Sequence, residues 1–450
     1  MDWGATLLLC LFHSTACVTL TWCYYGHHLR CFVGKIDGYR SKRTGRNMAD
    51  QNVDVCVVGA GVAGIACAQG LVRQGASVVL LDRLHPMPDN LKAEKLSGEA
   101  VPPLLRLGFG AAVGSALTPL HNVAVYYGER YLGVTQLDPP EAGTLYFKLI
   151  NSMREHMDQR ISFQPGTKAV AVEQHADGAE VVTDKGTRIA CKLVMLATGD
   201  AHQLLEGMGG VYQQRFPNEV YAVAFDMEGT LSDGHGPNDS QTYHHPIANG
   251  PVAYSTFFRL GGALRANVFC SGPTSDQWQR DLKQQPLEVL AAHNRTLARA
   301  SKDWRATSSS MIRKIQVRCL QPPALPRVVA LGDAAHTIDP AGGGGLTFAL
   351  LETELLLECH LPGWLRDGDC SAEAINAFYK DPRREKAVQR FFGAGEYIYA
   401  LNHDQSLKGN WRRLRFALEY KMDSRHSGHS AEASVHEGVA WQSPAHFLYE

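Results

Sequence analysis

The sequence lacks an excess of charge of either sign: 44 lysines and arginines stand against 45 aspartates and glutamates in 450 residues. Proteins that bind nucleic acid by neutralising phosphates carry surplus cations, and the balance here speaks against that class. There is no Cys-x-x-Cys pair. The eleven cysteines are scattered and odd in number, which fits buried free thiols in a reducing compartment better than a disulfide framework. No Gly-x-Ser-x-Gly occurs, so there is no hydrolase nucleophile elbow. Metal binding is disfavoured as well, because the His244-His245 pair has no Cys, Asp or Glu partner at ligand spacing. What remains is a chain of ordinary apolar content, long enough for two or three domains or one large α/β unit with an inserted domain.

One stretch lacks charge altogether. Residues 5–25 (ATLLLCLFHSTACVTLTWCYY) contain no Lys, Arg, Asp or Glu and would just cross a bilayer. Arg30, Lys35, Arg40, Lys42, Arg43 and Arg46 follow, which by the positive-inside rule leaves everything downstream in the cytoplasm. Against this, His13, Ser14, Thr15, Thr19 and Thr21 dilute the run, and Met48 reads as a start directly before the first core strand. Residues 1–47 are therefore either a membrane anchor or a dispensable extension. A cleaved signal peptide is disfavoured because the cations follow the apolar run.

The first chemistry-bearing motif comes next. Val53–Val58 is a short β-branched run read as a buried parallel strand. Gly59-Ala-Gly61-Val-Ala-Gly64 follows at once, then a helical period to Gly75 and a second strand ending in Asp82. Gly59 serves a tight turn, Gly61 lets the backbone approach a pyrophosphate, and Gly64 lets the helix pack close to the strand. Asp82, about 20 residues on, is placed to accept from a ribose hydroxyl. The context of strand, turn, helix and acid-ended strand predicts dinucleotide binding without separating NAD from FAD.

A second motif separates them. Arg327–Leu331 reads as another buried strand, followed by Gly332-Asp333-Ala-Ala-His336, then Pro340 and four glycines, Gly342, Gly343, Gly344 and Gly345, opening a helix over 346–359. An acid at a strand end can hold a ribityl chain. Glycines leave room for a flat ring and aim N–H groups at it, and a helix N-terminus stabilises negative charge on a reduced ring. This suits a flavin.

VVGAGVAGIACAQGLVRQG with VVLLDR, paired with GDAAHTIDPAGGGG about 270 residues later, resembles the class A FAD-dependent monooxygenases. These include the aromatic hydroxylases of the 4-hydroxybenzoate hydroxylase type and, more distantly, squalene epoxidase. The resemblance covers roughly residues 50–400. It implies an α/β fold, in which a Rossmann-like FAD-binding domain carries an inserted antiparallel-sheet substrate domain and C-terminal helices. It implies FAD contacts for Gly59, Gly61, Gly64, Asp82, Asp333, Pro340 and Gly342 to Gly345, with NAD(P)H as electron donor and a small molecule and O₂ as partners. His336 is read as fixing its turn.

Three departures from that family's pattern stand out. The middle signature, of the form ADGxxSxxR, is here ATGDAHQLLE: Asp200 and Gly199 are transposed, Gln203 stands for Ser and Glu206 for Arg. Glu206 would repel a phosphate that an arginine attracts. The helix over 143–157 places Tyr146, with Lys148 close by, where an Arg or Gln is usual. Lys92 and Lys95 are the nearest cations after Asp82, in place of an arginine.

The FAD domain is expected to be discontinuous, built from 50–117, 138–205 and 318–365. Residues 118–137 and 206–317 would form the substrate domain, and 366–423 a helical region with an AFYKDPRRE core. Residues 424–450 are polar, as in a disordered tail. Aromatic alternating runs over 212–276 predict the substrate sheet. Tyr126, Tyr221, Phe225, Tyr243, His244, His245 and Phe257 are the candidate substrate contacts, each with a place in the core as the alternative. No WxWxIP of the flavin halogenases occurs. The resemblance implies hydroxylation or epoxidation of an apolar substrate through a flavin C4a-hydroperoxide, with no single acid or base required and His245 as a candidate base for a phenol. Two alternatives stay open: a reductase of the geranylgeranyl reductase type, and a flavin-fold binding protein without catalysis.

Overall fold

The computed structural model describes residues 20–25, 28–33, 51–216, 220–232, 237–245, 251–271, 275–322 and 324–423. It comprises two units, Met1–Met48 and Ala49–Glu450. In the first, Leu20–Tyr25 pairs antiparallel with His28–Val33. The rest of the expected anchor, residues 5–19, lies outside the described residues, as does the tail 424–450. Among the described residues, no helix is long and apolar enough to cross a membrane.

The second unit is built on two large sheets. The first holds Gln51–Val58 at its centre, flanked in parallel by Val78–Asp82 and Arg188–Leu196. Ser162–Pro165 extends it beyond Val78–Asp82, and Val328–Ala330 lies parallel to Arg188–Leu196. The near-continuous apolar sequence of these strands follows from burial on both faces. The helix Val62–Arg73 covers one face with eleven buried residues and packs against the helix Gly345–Leu355. The Rossmann-like core expected from the two glycine motifs is therefore present.

The second sheet has nine strands and is antiparallel apart from one parallel pair, Ser240–His244 with Thr118–Tyr127. Its strands include Val220–Glu228, Val252–Leu260, Ala263–Ser271 and Arg130–Gly143. It also takes in Lys95–Leu96 and continues to Gly143. The expected domain boundaries assign both stretches to the FAD domain, and cross-strand pairing joins them to the other sheet instead. Three short helices, Asp276–Gln284, Pro286–His293 and Arg295–Ala300, back this sheet. The C-terminal region is helical as expected, over Ala372–Tyr379, Pro382–His403 and Leu407–Asp423.

Candidate functional site

The first glycine turn is as tight as its sequence requires. Gly59 has φ +104°, and a Cβ there would lie 2.3 Å from the Ala197 carbonyl oxygen. A Cβ on Gly64 would lie 1.8 Å from the Gly59 oxygen. Gly61 differs, because its added Cβ would meet only the Tyr146 hydroxyl, at 2.9 Å. The helix that follows has no side-chain cap and no acid in its first turn, so its N-terminal amides face the cavity without an anionic partner from the protein.

Asp82 lines the same cavity, and its carboxylate is already engaged. Oδ2 accepts from the Ala60 N–H at 2.6 Å and from Arg154 Nη2 at 2.9 Å, and Oδ1 accepts from the Leu84 N–H at 2.7 Å. Arg154 is buried and also donates to the Ala60 and Leu84 carbonyls. Sequence reasoning missed it. Its signal was its place on the stripe Tyr146, Leu149, Ile150, Met153, Arg154, where an arginine among apolar neighbours must have a partner. Lys148, which drew attention instead, is exposed.

The second signature faces the first across the same space. Gly332 takes φ +57° at the end of its strand, and Asp333, Pro340 and Gly342 to Gly345 line the cavity with Gly59, Gly61 and Asp82. Of the ten residues predicted to hold the cofactor, only Gly64 lies off this surface, because its part is the crossing of helix and strand. The helix Gly345–Leu355 likewise begins with no side-chain cap and no acid in its first turn. His336 is buried among Phe348 and Phe392 and contacts Arg384 through Nδ1 at 3.1 Å, so it fixes the turn as expected. Burial first, and then Arg384, hold its ring well below the usual histidine range.

Cations enter from elsewhere in the chain. Lys92 Nζ lies 3.5 Å from Asp333 Oδ2 and beneath the Tyr146 ring. Burial works against its charge, and Asp333, Tyr146 and Asp200 outweigh it, leaving the amine above its usual range. Lys95 is 2.6 Å from Glu141 on the second sheet. In the altered middle signature, Asp200 pairs with Arg313 at 2.7 Å, and Glu206 lies 3.7 Å from Arg318. Gln203 lines the cavity. Arg313, from a strand more than a hundred residues away, brings a cation to the cavity wall, where Asp200 pairs with it.

The cavity has a volume of about 940 Å³, at the large end for ligand pockets. Beyond the glycine turns it runs onto the nine-stranded sheet, whose Thr242, His244, Tyr254, Thr256, Asn267 and Phe269 line it. This corrects most of the substrate assignment. Tyr126, Tyr221, Phe225, Tyr243, His245 and Phe257 are not part of the lining. Tyr126, Phe225, Tyr243 and Phe257 are buried on the opposite face with Leu282, Leu290 and Leu297, and Tyr221 packs against that cluster. Tyr126 and Tyr243 stack at 4.5 Å, and Phe257 rests on Trp304 at 4.7 Å. The reason is the two-residue period of a strand, in which neighbours point to opposite faces. His244 is the one candidate on the cavity side, 5.1 Å from the Phe416 ring. His245 contacts Ser255 Oγ instead, and burial, with His244 and His293, pushes its ring down to about 3. It is turned away from the cavity and its basicity is lowered, and both argue against it as the base.

Asp339, just before Pro340, caps the glycine loop by accepting from the Ala341 N–H at 3.0 Å. Burial pushes its carboxyl up to about 6. Between about pH 4 and 6 the folded chain therefore keeps a proton there that the unfolded chain has lost. That contribution to stability is complete below about pH 4 and is lost as pH rises through about 6. Asp339→Asn is expected to flatten the unfolding profile between those values by up to about 3 kcal/mol. Denaturant midpoints that change with pH equally in both proteins would refute this.

The residues present fit FAD. Two uncapped helix N-termini suit a pyrophosphate and a reducible ring, the glycines leave the space open, and Asp333 with Lys92 offers acceptor and donor between them. The comparisons with known proteins agree. Among curated proteins, 3-demethoxyubiquinol 3-hydroxylase of Escherichia coli K12 is 22% identical over 329 residues, 69% of this chain and 80% of that one. Menaquinone reductase of Mycolicibacterium smegmatis is 25% identical over 337 residues, 70% of this chain and 78% of that one. The solved p-nitrophenol 4-monooxygenase PnpA from Pseudomonas putida has the same fold, with a TM-score of 0.68 at 18% identity over 84% of this chain and 96% of that one. Residues 52–357 match the family described as FAD binding domain, and the chain therefore belongs to that family of flavoproteins.

Proposed function

We propose that the protein is an FAD-dependent monooxygenase that takes electrons from NAD(P)H and one oxygen atom from O₂ to hydroxylate or epoxidise a largely apolar small molecule. The observation that carries this reading is the single cavity that joins both glycine turns to one face of the nine-stranded sheet. It brings a substrate against the flavin site while protein walls exclude water. FAD, when bound, supplies the redox and oxygen chemistry. This chain's residues do the rest. The N-terminal amides of the two helices hold negative charge, and Asp333 and Lys92 orient the cofactor between them. Thr242, Thr256, Asn267 and His244 offer polar contacts beside Ala222, Val223 and Phe269, with Lys95, Glu141 and Arg313 also on the lining. His244 is the side chain best placed to hold or take a proton from a substrate hydroxyl.

The named relatives support a quinol or phenol as substrate, since they include a ubiquinol hydroxylase and a nitrophenol monooxygenase. A menaquinone reductase among them supports the reductase reading as well. The two are separable. Under anaerobic conditions NADPH or NADH is expected to bleach the yellow protein, and re-aeration should restore the colour rapidly with consumption of O₂. Bleaching followed by slow reaction with O₂ favours the reductase. A yellow protein that neither nucleotide bleaches overturns the NAD(P)H-driven monooxygenase and favours the reductase with another donor or the flavin-fold binding protein. Within the monooxygenase reading, His244→Ala is expected to lower turnover of a phenolic substrate about 10²-fold or more while FAD content stays unchanged. Unchanged turnover would remove His244 from the chemistry.

A further inference from the structure

The C-terminal helix Leu407–Asp423 presents two unlike faces. Phe416 is buried, lines the cavity and packs on Tyr127 and His244 at 5.9 and 5.1 Å. Four other side chains are open to solvent: Leu407 (87% exposed), Trp411 (66%), Leu414 (46%) and Leu418 (50%). Among the described residues only four other large hydrophobics are comparably exposed, and they lie on separate elements. At about 100° per residue, positions 407, 411, 414 and 418 fall within about 60° of one another, and Phe416 lies roughly opposite. The stripe is thus a continuous apolar ridge on the outside of the element that covers the cavity.

Its charge indicates what would cover it. Over residues 407–418 the helix carries Lys408, Arg412, Arg413 and Arg415 and no acid; Lys408 and Arg415 are exposed, while Arg412 pairs with Asp404 at 3.1 Å and Arg413 donates to the Leu401 and Asp404 carbonyls. A ridge of leucines with a tryptophan, flanked by an excess of cations, is the composition of helices that lie in the interface of an anionic bilayer. A second copy of the chain is a poorer partner, because self-pairing would set the same cations against each other. The adjoining residues 425–434 offer no large apolar side chain, whereas Trp441, Phe447, Leu448 and Tyr449 follow further along the chain, and a ridge covered by them would leave the protein unable to bind vesicles.

We propose that this helix docks the protein on an anionic membrane surface through Leu407, Trp411, Leu414 and Leu418, with the cavity behind Phe416 opening to molecules dissolved in that membrane. This deepens the monooxygenase reading, on which its second half rests, by naming a lipid-dissolved molecule as the substrate class. The docking itself does not depend on catalysis.

The test uses the full chain loaded with FAD, with vesicles of phosphatidylcholine alone and of equal parts phosphatidylcholine and phosphatidylserine. The protein is expected to sediment with the anionic vesicles and to be partly released by salt. The double variant Trp411→Glu/Leu414→Glu is expected to bind them about tenfold more weakly, or less, with unchanged FAD content. The uncharged run of residues 5–25 is a rival explanation of any vesicle binding, so depth is read at Trp411 itself. Brominated acyl chains should quench its emission, and Trp411→Phe should remove that part of the quenching without releasing the protein. Vesicle binding that the double variant leaves intact, or quenching that Trp411→Phe leaves intact, overturns the docking. So does a dimer that the double variant splits with no vesicle binding, since a second copy then covers the ridge. For the substrate class, the double variant should slow oxidation of a polyprenyl quinol held in vesicles and spare its unprenylated form in buffer. Equal loss on both, or activity on neither, overturns that half. Activity on neither together with normal vesicle binding counts against the enzyme reading and leaves the docking standing.

Discussion

Gly64→Ala is expected to abolish the folded, FAD-binding protein, whereas Gly61→Ala is expected to fold and lose only the cofactor. The two substitutions add the same methyl group three residues apart. At Gly64 the new Cβ would lie 1.8 Å from the Gly59 carbonyl oxygen, and the Ala197 side chain closes the space at 3.2 Å. Gly59 cannot retreat, because its own backbone already lies against the Ala197 carbonyl at φ +104°. The collision is between main-chain groups at the centre of the first sheet, and relieving it means parting the helix from its strand. A cost of about 4 kcal/mol or more follows, a large share of the roughly 5–15 kcal/mol that holds a domain together. At Gly61 the obstacle is the end of the Tyr146 side chain, which can turn aside. The methyl group then projects into the space where the pyrophosphate has to approach. Soluble yield, far-ultraviolet circular dichroism and the flavin absorbance of the purified proteins separate the outcomes. A yellow Gly64→Ala protein with the parent melting temperature would show that the crossing is not close.

Arg384→Ala is expected to destabilise the protein by about 3–5 kcal/mol. Arg384 and Glu352 are both almost fully buried. Nε and Nη2 of the arginine donate to Glu352 Oε1 at 2.8 and 2.5 Å, and Nη2 also contacts His336 Nδ1. The other carboxylate oxygen accepts from the Gly332 N–H at 2.8 Å. One ion pair therefore ties the C-terminal helical region to the turn that carries Asp333. Removing the arginine leaves Glu352 without its cation in an apolar setting with a single hydrogen bond, so it either stays charged at a cost or takes up a proton, and the loss should appear in FAD retention as well as in the unfolding midpoint. Arg384→Met combined with Glu352→Gln should cost less than the arginine substitution alone, because no unpaired charge remains. A melting temperature within a few degrees of the parent for Arg384→Ala would refute the coupling.

Much of this site is legible in the amino-acid sequence. Both glycine turns can be read because they are local: a positive φ at Gly59 or a Cβ-free approach at Gly61 restricts the residue type at that position. Within AFYKDPRRE it is Arg384 whose burial against Glu352 gives the segment a physical role, which the sequence of the helix does not reveal. The substrate face is misread for six of seven candidates. Composition marks the right strands, yet large aromatics suit either face of a sheet. In this fold they fill the side backed by helices, and smaller polar residues such as Thr242, Thr256 and Asn267 face the cavity. The altered middle signature looks like a lost cation when only its own ten residues are in view. Arg313 and Arg318 reach it from strands that are distant in sequence.

The sequence by itself determined the dinucleotide turn, the flavin-type second turn and the α/β class. Each follows from what a short run of backbone can adopt or from a period of apolar residues. The tertiary structure alone decided which face of the nine-stranded sheet meets the cofactor, which cation answers Asp82, Asp200 or Glu206, and which side of the last helix is left bare. Those choices depend on cross-strand register and on long-range pairing of charges, and a strand or helix read in isolation is equally compatible with either of its faces being buried.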